Sequence, residues 1–191
     1  MSIKPSLKME RETARQVFHA ALGVAALALL LLFGREFTTG LLFFIIIGGT
    51  FLMNKRLLGE KVPVVQWLEW QFERPDAPLP GWGSACYAAG VLLLLTFLTD
   101  ANEIAASLVV LGLGDAISTI VGARGRIVLP YNRKKTVEGA AAFFLASLGA
   151  WYFVGPAAIP LAAVATVAES LPWLEDNLAI PVACVVFFLV L

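Results

Sequence analysis

The chain has 191 residues, of which 59% are hydrophobic and 15% charged, and its formal net charge is +0 at pH 7. A water-soluble domain of this size cannot bury so large an apolar share, because only one face of each helix meets a core. The composition therefore excludes an ordinary soluble protein and predicts a membrane protein, while the zero net charge by itself points to no partner.

Seven apolar segments are predicted to cross a bilayer as helices. In chain order they cover residues 13–33, 38–54, 82–99, 102–122, 137–154, 157–173 and 178–191. Most approach the roughly 17–20 residues that the hydrocarbon core requires, and the alternating pattern of a membrane barrel is missing. The predicted fold is thus all-α: one polytopic membrane domain over residues 1–191, a helical bundle whose weakest boundary is the turn at 155–160.

The segment 55–81, between the second and third predicted spans, mixes aromatic and charged residues. Trp67 and Trp70 stand beside Glu69, a mixture typical of the headgroup level of a bilayer. We predict a short interfacial helix that ends before Pro75, because the residue that precedes a proline disfavours helix. Two roles fit such a helix: an anchor on the membrane surface, which we prefer, and a gate for a lipid substrate.

The lysines and arginines predict the orientation of the bundle. If the N-terminus is cytoplasmic, all 14 of them except Arg35 fall on the cytoplasmic side, where positively charged loops are retained. We therefore expect a multi-pass protein of the cytoplasmic membrane with its N-terminus inside and its C-terminus outside. The residues on the cytoplasmic side are Lys4, Lys8, Arg11, Arg15, Lys55, Arg56, Lys61, Arg74, Arg124, Arg126, Arg133, Lys134 and Lys135.

Ionisable residues inside membrane spans cost roughly 2.5–3.5 kcal/mol each on insertion scales, so each one is a candidate functional residue. In the predicted topology, five separate segments bring such residues to one cytoplasmic level. They are Glu12, Arg15 and His19, spaced for one helical face, then Asp115, Glu138, Glu169, Glu175 and Asp176, with Asn177 beside them. Most of them have an ordinary alternative as helix-end charges or turn residues. Asp115, in VVLGLGDAISTIVG, does not, and the convergence predicts a site at the cytoplasmic face.

The segment 114–139, GDAISTIVGARGRIVLPYNRKKTVEG, combines an acid, hydroxyls, glycines and a lysine pair. Carboxylates hold Mg²⁺, which is shared with substrate phosphates. Glycines let backbone N–H groups approach phosphate oxygens, and lysines neutralise the charge that develops in phosphoryl transfer. Because the pattern G-x-x-x-x-G-K-[ST] is missing, this is not a Walker A loop. The segment predicts a phosphate-containing ligand at the cytoplasmic face.

The same segment resembles the nucleotide-binding segment of the dolichol kinase, phytol kinase and CTP-dependent diacylglycerol kinase family, which reads D-x-x-A-x-x-x-G-x-x-x-G, a spacer, then K-K-T-x-E-G. The stretches ERETARQVFHAALG and AESLPWLEDNLAIPV are similar to two further motifs of that family, in the same order. Two features depart from the pattern: Gly125 comes one residue early, and Gln16 replaces a frequent lysine. The matching residues are Glu12, Arg15, His19, Gly23, Asp115, Ser118, Gly122, Lys134, Lys135, Thr136, Glu138, Gly139, Glu169, Asp176, Asn177 and Pro181.

The resemblance implies a small, prokaryotic-type kinase that transfers the γ-phosphate of CTP, or of ATP, to the hydroxyl of an isoprenoid alcohol such as polyprenol, dolichol, geranylgeraniol or phytol. Mg²⁺ or another divalent cation is the implied cofactor, and its implied ligands are Asp115 and Asp176, with Glu169 or Asn177 assisting. The general base is implied to be Asp115, Asp176 or His19, with Arg15 and Glu12 in the same catalytic set. The implied nucleotide-binding residues, in the loop 123–136 and its flanks, are Ser118, Gly122, Arg124, Gly125, Arg126, Lys134, Lys135, Thr136, Glu138 and Gly139.

Three other functions stay open. A CTP-dependent diacylglycerol-type kinase and a CDP-lipid synthase would use a similar polar layer, although the acid pattern of a synthase is not seen. A small transporter would also keep charges in its spans, but no internal repeat is visible. The expected partners are the bilayer, a lipid alcohol and a nucleoside triphosphate, with no nucleic acid, and a homodimer is left open. Cys86 and Cys184 lack metal-ligand spacing and are expected to be buried apolar side chains.

Overall fold

The computed structural model describes the backbone of residues 5–72, 77–79, 81–173 and 175–190, and the side chains from residue 12 onward within those ranges. This part of the chain is helical apart from short loops and one isolated bridge, between Val128 and Thr136, which confirms the predicted all-α fold. A π-helical turn, Val110–Gly114, joins α4 to α5, and 3-10 turns at Leu148–Ala150 and Gly155–Ala157 join α6, α7 and α8. The helices are α1 (Pro5–Leu57), α2 (Pro63–Phe72), α3 (Trp82–Phe97), α4 (Ala101–Val109), α5 (Asp115–Gly122), α6 (Val137–Ser147), α7 (Trp151–Val154), α8 (Ala158–Ser170) and α9 (Asp176–Val190).

Three continuous helical stretches among the described residues are long and apolar enough to cross a membrane. They are Glu12–Leu57, Ala101–Gly122 and Val137–Ser170, while α3 and α9 are shorter apolar helices. The structure therefore shows a helical protein with segments suited to a bilayer. The first stretch contains the predicted segments 13–33 and 38–54, and the third contains 137–154 and most of 157–173, with a turn inside each stretch.

The first turn is at Gly34 in α1. Gly34 has φ 79° and ψ 174°, a backbone conformation that favours glycine and interrupts the helix. On the arm before it, the ring of Phe18 stacks on Phe72 of α2 with centroids 4.2 Å apart. On the arm after it, Arg56 pairs with Glu69 of α2 at 3.4 Å. A straight helix would hold residues 18 and 56 roughly 57 Å apart, so α1 is a hairpin whose two arms both contact the ten-residue α2.

The second turn is at Gly155, which has φ 54°. Lys135, just before α6, lies 2.5 Å from the carboxylate of Glu169 at the end of α8. A straight helix would separate residues 137 and 169 by roughly 48 Å. The stretch Val137–Ser170 is therefore a second hairpin, and it brings both of its ends to the side of the bundle where Asp115 lies.

Arg35, the basic residue that the predicted topology leaves on the outer side, has a structural role there. Its Nε donates a hydrogen bond to the carbonyl of Leu95 at 2.7 Å, and its Nη2 donates to the carbonyl of Thr96 at 3.2 Å. Both carbonyls belong to the last turn of α3, where helix carbonyls lack intrahelical partners and cations are favourable. Arg35 therefore caps α3 and ties the first hairpin to it.

The helix α2, Pro63–Phe72, lies in the segment predicted to hold an interfacial helix, and its predicted end before Pro75 falls outside the described residues. Its side chains Val64, Trp67 and Trp70 are largely exposed, as an apolar face at a membrane surface would be. Several residues named in the sequence analysis lie outside the described residues: Lys4, Arg74, Pro75 and Leu191, together with the side chains of Lys8 and Arg11.

The buried core lies between α3, α4, the π-helical turn, α6, α8 and α9. Cys86 and Cys184 are both buried, as the sequence predicts. The arm of the first hairpin after Gly34 is much more exposed than this core, since Phe44 and Ile47 on it are 76% and 66% exposed. Large apolar side chains that face outward in this way are suited to lipid and unsuited to water.

Two glycines set the distance between α5 and α6. A Cβ added at Gly139 would lie 3.0 Å from the Cα of Gly122 and 3.1 Å from the carbonyl oxygen of Ser118. Because both neighbours are backbone atoms, they cannot move aside as a flexible side chain can. The helices therefore meet backbone to backbone, next to the loop 123–136.

We expect Gly139→Ala to destabilise the protein by about 1–3 kcal/mol, because the added methyl group overpacks this contact. Thermal unfolding in detergent measures the effect. Gly40→Ala is the matched control, since no atom lies within 4 Å of a Cβ at Gly40 and alanine favours helix there. Equal melting temperatures for the two variants would contradict the close packing of α5 on α6.

Candidate functional site

Three carboxylates from three helices meet at one point of the bundle. Asp115 is the first residue of α5, Glu169 lies one residue before the end of α8, and Asp176 begins α9. One oxygen from each lies within 4.8 Å of the other two, and Glu169 and Asp115 are only 0% and 6% exposed. Three acids so close together, two of them buried, repel one another unless a cation or a proton is present. We call these three residues the acid cluster.

Lys135 supplies a positive charge to the acid cluster. Its Nζ donates hydrogen bonds to Glu169 Oε1 at 2.5 Å and to Asp176 Oδ2 at 2.8 Å. Burial alone would lower the pKa of this ammonium group, but the charges of Asp176, Glu169 and Asp115 outweigh it and raise the pKa to about 12. Lys135 is therefore protonated at neutral pH, and its single charge faces three carboxyl groups.

Glu169 has one oxygen engaged and one free. Its Oε1 accepts hydrogen bonds from Ser118 Oγ at 2.6 Å and from Lys135. Its Oε2 is buried and has no hydrogen-bond partner among the residues that the structure describes. Leaving a buried acceptor unpaired costs about 1–3 kcal/mol, so this oxygen is positioned to accept a ligand. The donor set of carboxylate oxygens suits a hard divalent cation such as Mg²⁺.

A π-helical turn positions Asp115. It occupies Val110–Gly114, immediately before the aspartate, within a stretch that is otherwise α-helical. Such turns add a residue to one helical turn and often occur at functional sites. The turn changes the direction in which the residues after it point, so it sets how Asp115 meets Glu169 and Asp176.

The loop 123–136 is held in one conformation by its own backbone and by Glu138. The carboxylate of Glu138 accepts hydrogen bonds from the backbone N–H of Arg126 at 2.8 Å and of Ile127 at 3.2 Å. Thr136 caps α6 through a bond from the backbone N–H of Gly139 at 3.2 Å. Thr136 and Glu138, which the resemblance assigns to nucleotide binding, therefore also build the loop that carries Lys135.

The same loop is docked on the end of α8. Asn132 Nδ2 donates to the carbonyl of Ser170 at 3.0 Å, and Tyr131 donates through its hydroxyl to Ser170 Oγ at 2.9 Å. Asn132 is also an acceptor, for the backbone N–H of Lys134 at 3.1 Å. Because Ser170 follows Glu169, this docking fixes the distance between Lys135 and the acid cluster. Asn132 and Tyr131 were not predicted from the sequence to belong to the site, although they lie only one residue, Arg133, before the two lysines.

We expect Asn132→Ala to loosen the loop. The substitution removes the buried amide that ties the loop to Ser170, so trypsin should cut faster after Arg133, Lys134 or Lys135 in protein reconstituted in vesicles. Mass spectrometry of the fragments over time measures the rate. Asn102→Ala, an exposed asparagine in α4, is the control. Unchanged cleavage in Asn132→Ala would show that other contacts fix the loop.

A pocket of about 210 Å³ opens beside the acid cluster. Arg15 and His19 from the first arm of α1 line it, together with Asp115, Asp176 and Asn177. Arg15 also forms an ion pair with Glu12 one helical turn earlier. The rings of His19 and Tyr87 pack in a T-shaped arrangement with their centroids 5.1 Å apart. The pocket therefore brings together the predicted face of α1 and the acids of α5 and α9. Its other described lining residues are Phe72, Ala77, Pro78, Trp82, Gly83, Ser84, Lys134 and Glu175.

The two lysines of the pair take different positions. Lys135 points into the acid cluster, whereas Lys134 is exposed and lines the pocket. Arg124 and Arg126 are exposed on the loop and are not among the described residues that line the pocket. Gly122 and Gly139 serve the contact between α5 and α6, and Gly125 lies against Thr136. Of the predicted nucleotide-binding residues, Lys134 thus lines the pocket and Lys135 contacts the acid cluster. The glycines instead allow close packing of the helices and the loop beside the pocket.

Two aromatic residues that were not predicted to belong to the site also line the pocket. Trp82, at the start of α3, donates through its Nε1 to Glu175 Oε1 at 3.3 Å. Phe72, at the end of α2, also lines the pocket. The lining of the pocket is therefore partly aromatic, through Phe72 and Trp82.

Comparison with known proteins gives one relative of comparable length. The chain is 31% identical over 176 residues to uncharacterized protein MJ1137 of Methanocaldococcus jannaschii, and the match covers 90% of this chain and 89% of the archaeal protein. No protein-family model and no solved structure matches the chain.

Proposed function

The chain belongs to the same family as uncharacterized protein MJ1137 of Methanocaldococcus jannaschii, and we propose that it is an integral membrane lipid kinase. In this proposal it transfers the γ-phosphate of CTP, with ATP as the alternative donor, to the hydroxyl of an isoprenoid alcohol at the cytoplasmic face. The observation that carries the proposal is the acid cluster with Lys135 inside it, at the edge of a pocket and at the ends of apolar helices. Catalysis of phosphoryl transfer rests on positioning and on electrostatic stabilisation, and this arrangement supplies both.

The proposed arrangement in the membrane has seven crossings. The hairpins at Gly34 and Gly155 each supply two antiparallel arms, and α3, the stretch Ala101–Gly122 and α9 supply one each. The acid cluster then lies at one membrane face, together with the loop 123–136 and α2. The positive residues of that side favour the cytoplasm and an N-terminus inside.

The residues that would hold Mg²⁺ are Asp115, Glu169 and Asp176, with Asn177 beside them. When bound, such a cation supplies charge stabilisation to the phosphates and orients them. The unpaired Oε2 of Glu169 and the clustered carboxylates support this assignment. Asn177 is buried and its Oδ1 has no partner among the described residues, so it is free to orient a ligand in the pocket.

Lys134 and Arg15 are proposed to contact the nucleotide phosphates, because both are cationic and both line the pocket. The pocket is small, so it suits the phosphates and the reacting hydroxyl, while the base and ribose of CTP would lie outside it. The acceptor alcohol would reach it past the aromatic side chains Phe72 and Trp82, with its chain in the bilayer. Asp115, Asp176 and His19 all line the pocket and are the candidates for the general base that takes the proton of the hydroxyl.

The test is a transfer assay with purified protein, Mg²⁺ and CTP or ATP labelled at the γ-phosphate. The acceptors are polyprenol, dolichol, geranylgeraniol, phytol and diacylglycerol, each in mixed micelles. We expect label in the phosphate of an isoprenoid alcohol and none without Mg²⁺. Label in diacylglycerol alone would identify diacylglycerol, in place of an isoprenoid alcohol, as the acceptor. The absence of labelled lipid with every acceptor would overturn the kinase proposal.

A further inference from the structure

Lys135 occupies the place in the acid cluster where a cation would bind. Its Nζ contacts Glu169 Oε1 and Asp176 Oδ2, two of the three residues whose oxygens lie within 4.8 Å of one another. These are the groups that would serve as ligands of a divalent cation. An ammonium group and a divalent cation on the same oxygens would be separated by only a few ångströms, and like charges at that distance repel strongly in a partly buried site.

The acid cluster also has contacts that do not involve the ammonium group. Ser118 Oγ donates to Glu169 Oε1 at 2.6 Å, and the three carboxylates are carried by three helices, α5, α8 and α9, rather than by the loop. Glu169 Oε2, buried and without a partner among the described residues, supplies an oxygen that Lys135 does not use. The acid cluster thus has both a prearranged set of oxygens and a buried acceptor that points to a ligand.

The side chain of Lys135 is long enough to move its ammonium group out of the acid cluster. It is the last loop residue before the Thr136 cap, and its side chain has four rotatable bonds, so its Nζ can move several ångströms without a change in the backbone. Lys134, the adjacent residue, already lines the pocket. A phosphate group in the pocket would offer Lys135 an anionic partner outside the acid cluster.

We propose that Lys135 is an exchangeable counter-ion, which neutralises the acid cluster in the ligand-free protein and moves to the nucleotide phosphates when a divalent cation takes its place. The inference rests on the proposed function in taking a nucleoside triphosphate as the ligand. It adds that cation and nucleotide bind with positive coupling. The cation displaces Lys135 from the carboxylates, and the nucleotide phosphates give the displaced Lys135 a new anionic partner. It also means that the free protein binds the cation weakly, despite its three clustered carboxylates.

The test measures Mn²⁺ binding to detergent-solubilised protein by electron paramagnetic resonance, without nucleotide and without lipid. We expect Lys135→Met to bind Mn²⁺ more tightly than the wild-type protein, by on the order of tenfold, since a competing positive charge has been removed. Lys134→Met removes the same charge from the preceding residue, whose side chain lies outside the acid cluster, and should change Mn²⁺ affinity far less. Lys135→Arg should bind Mn²⁺ as weakly as the wild-type protein.

Lys135→Gln is the second neutral variant, in case Lys135→Met does not fold, because its amide can still donate to Glu169 and Asp176. Unchanged or weaker Mn²⁺ binding in the neutral variants would overturn the proposal, as would an equal gain in Lys134→Met. The result is separable from the kinase assay, because it needs neither acceptor nor turnover. Tighter Mn²⁺ binding with no lipid phosphorylated would keep the counter-ion role and remove the kinase proposal.

Discussion

Lys135→Ala is expected to lower kcat by roughly 10²-fold or more, the loss typical when a preorganised electrostatic group is removed. The ammonium group lies between Glu169 and Asp176, at 2.5 Å and 2.8 Å, and is the cation nearest to the acid cluster among the described residues. In the proposed reaction it stabilises the charge on the transferred phosphate. Transfer of label from CTP to the lipid alcohol measures the effect, and circular dichroism with size-exclusion chromatography verifies that the variant is folded.

Arg133→Ala is the matched control for this experiment. Arg133 lies in the same loop, carries the same charge and is exposed, so its removal alters the net charge without touching the acid cluster. Exposed charges of this kind contribute little to stability or structure. If Lys135→Ala keeps wild-type turnover, or if Arg133→Ala loses as much, the position of Lys135 has no special part in the reaction.

Asp115→Asn should reduce turnover by a similar factor of roughly 10²-fold or more, while the protein stays at least as stable. Asparagine has nearly the volume of aspartate, so the packing around the π-helical turn is preserved. Its neutral amide also relieves the repulsion between Asp115 and the carboxylates of Glu169 and Asp176, which lie within 4.8 Å. Activity lost together with stability retained is the pattern expected of a site whose charges serve function.

Glu103→Gln is the control for Asp115→Asn. Glu103 lies in α4, in the same membrane-length stretch Ala101–Gly122 but at its other end. The substitution makes the same change from acid to amide, so its turnover should be close to that of the wild-type protein. Normal activity in Asp115→Asn, or a melting temperature well below that of the wild-type protein, would assign Asp115 a structural role.

The helical fold was predictable because a long run of apolar residues directly indicates a helix suited to a bilayer. The segment predicted at 102–122 is observed as Ala101–Gly122, and the one predicted at 178–191 corresponds to Asp176–Val190. The reversals at Gly34 and Gly155 fall between predicted segments, at residues that tolerate positive φ. The convergence of Asp115, Glu169 and Asp176 followed from placing helix ends at one level, and the structure brings these three together.

The roles of individual residues in the loop were not predictable from the sequence. Lys134 and Lys135 are adjacent and chemically identical, yet only Lys135 contacts the acid cluster. That difference depends on the backbone path of the loop, which Glu138 and Asn132 fix through hydrogen bonds to distant backbone groups. The π-helical turn before Asp115 was likewise hidden, because a run of leucine, valine and glycine fits an α-helix equally well.

The most direct measurement of the central claim is the identity of the nucleotide product. Purified protein is incubated with CTP, Mg²⁺ and an isoprenoid alcohol, and CDP, pyrophosphate and lipid phosphate are quantified in the same reaction. A kinase predicts CDP and lipid monophosphate in equal amounts, with both lost in Asp115→Asn. Pyrophosphate in place of CDP would identify a cytidylyl transfer, and the absence of any nucleotide product would contradict the proposed enzyme.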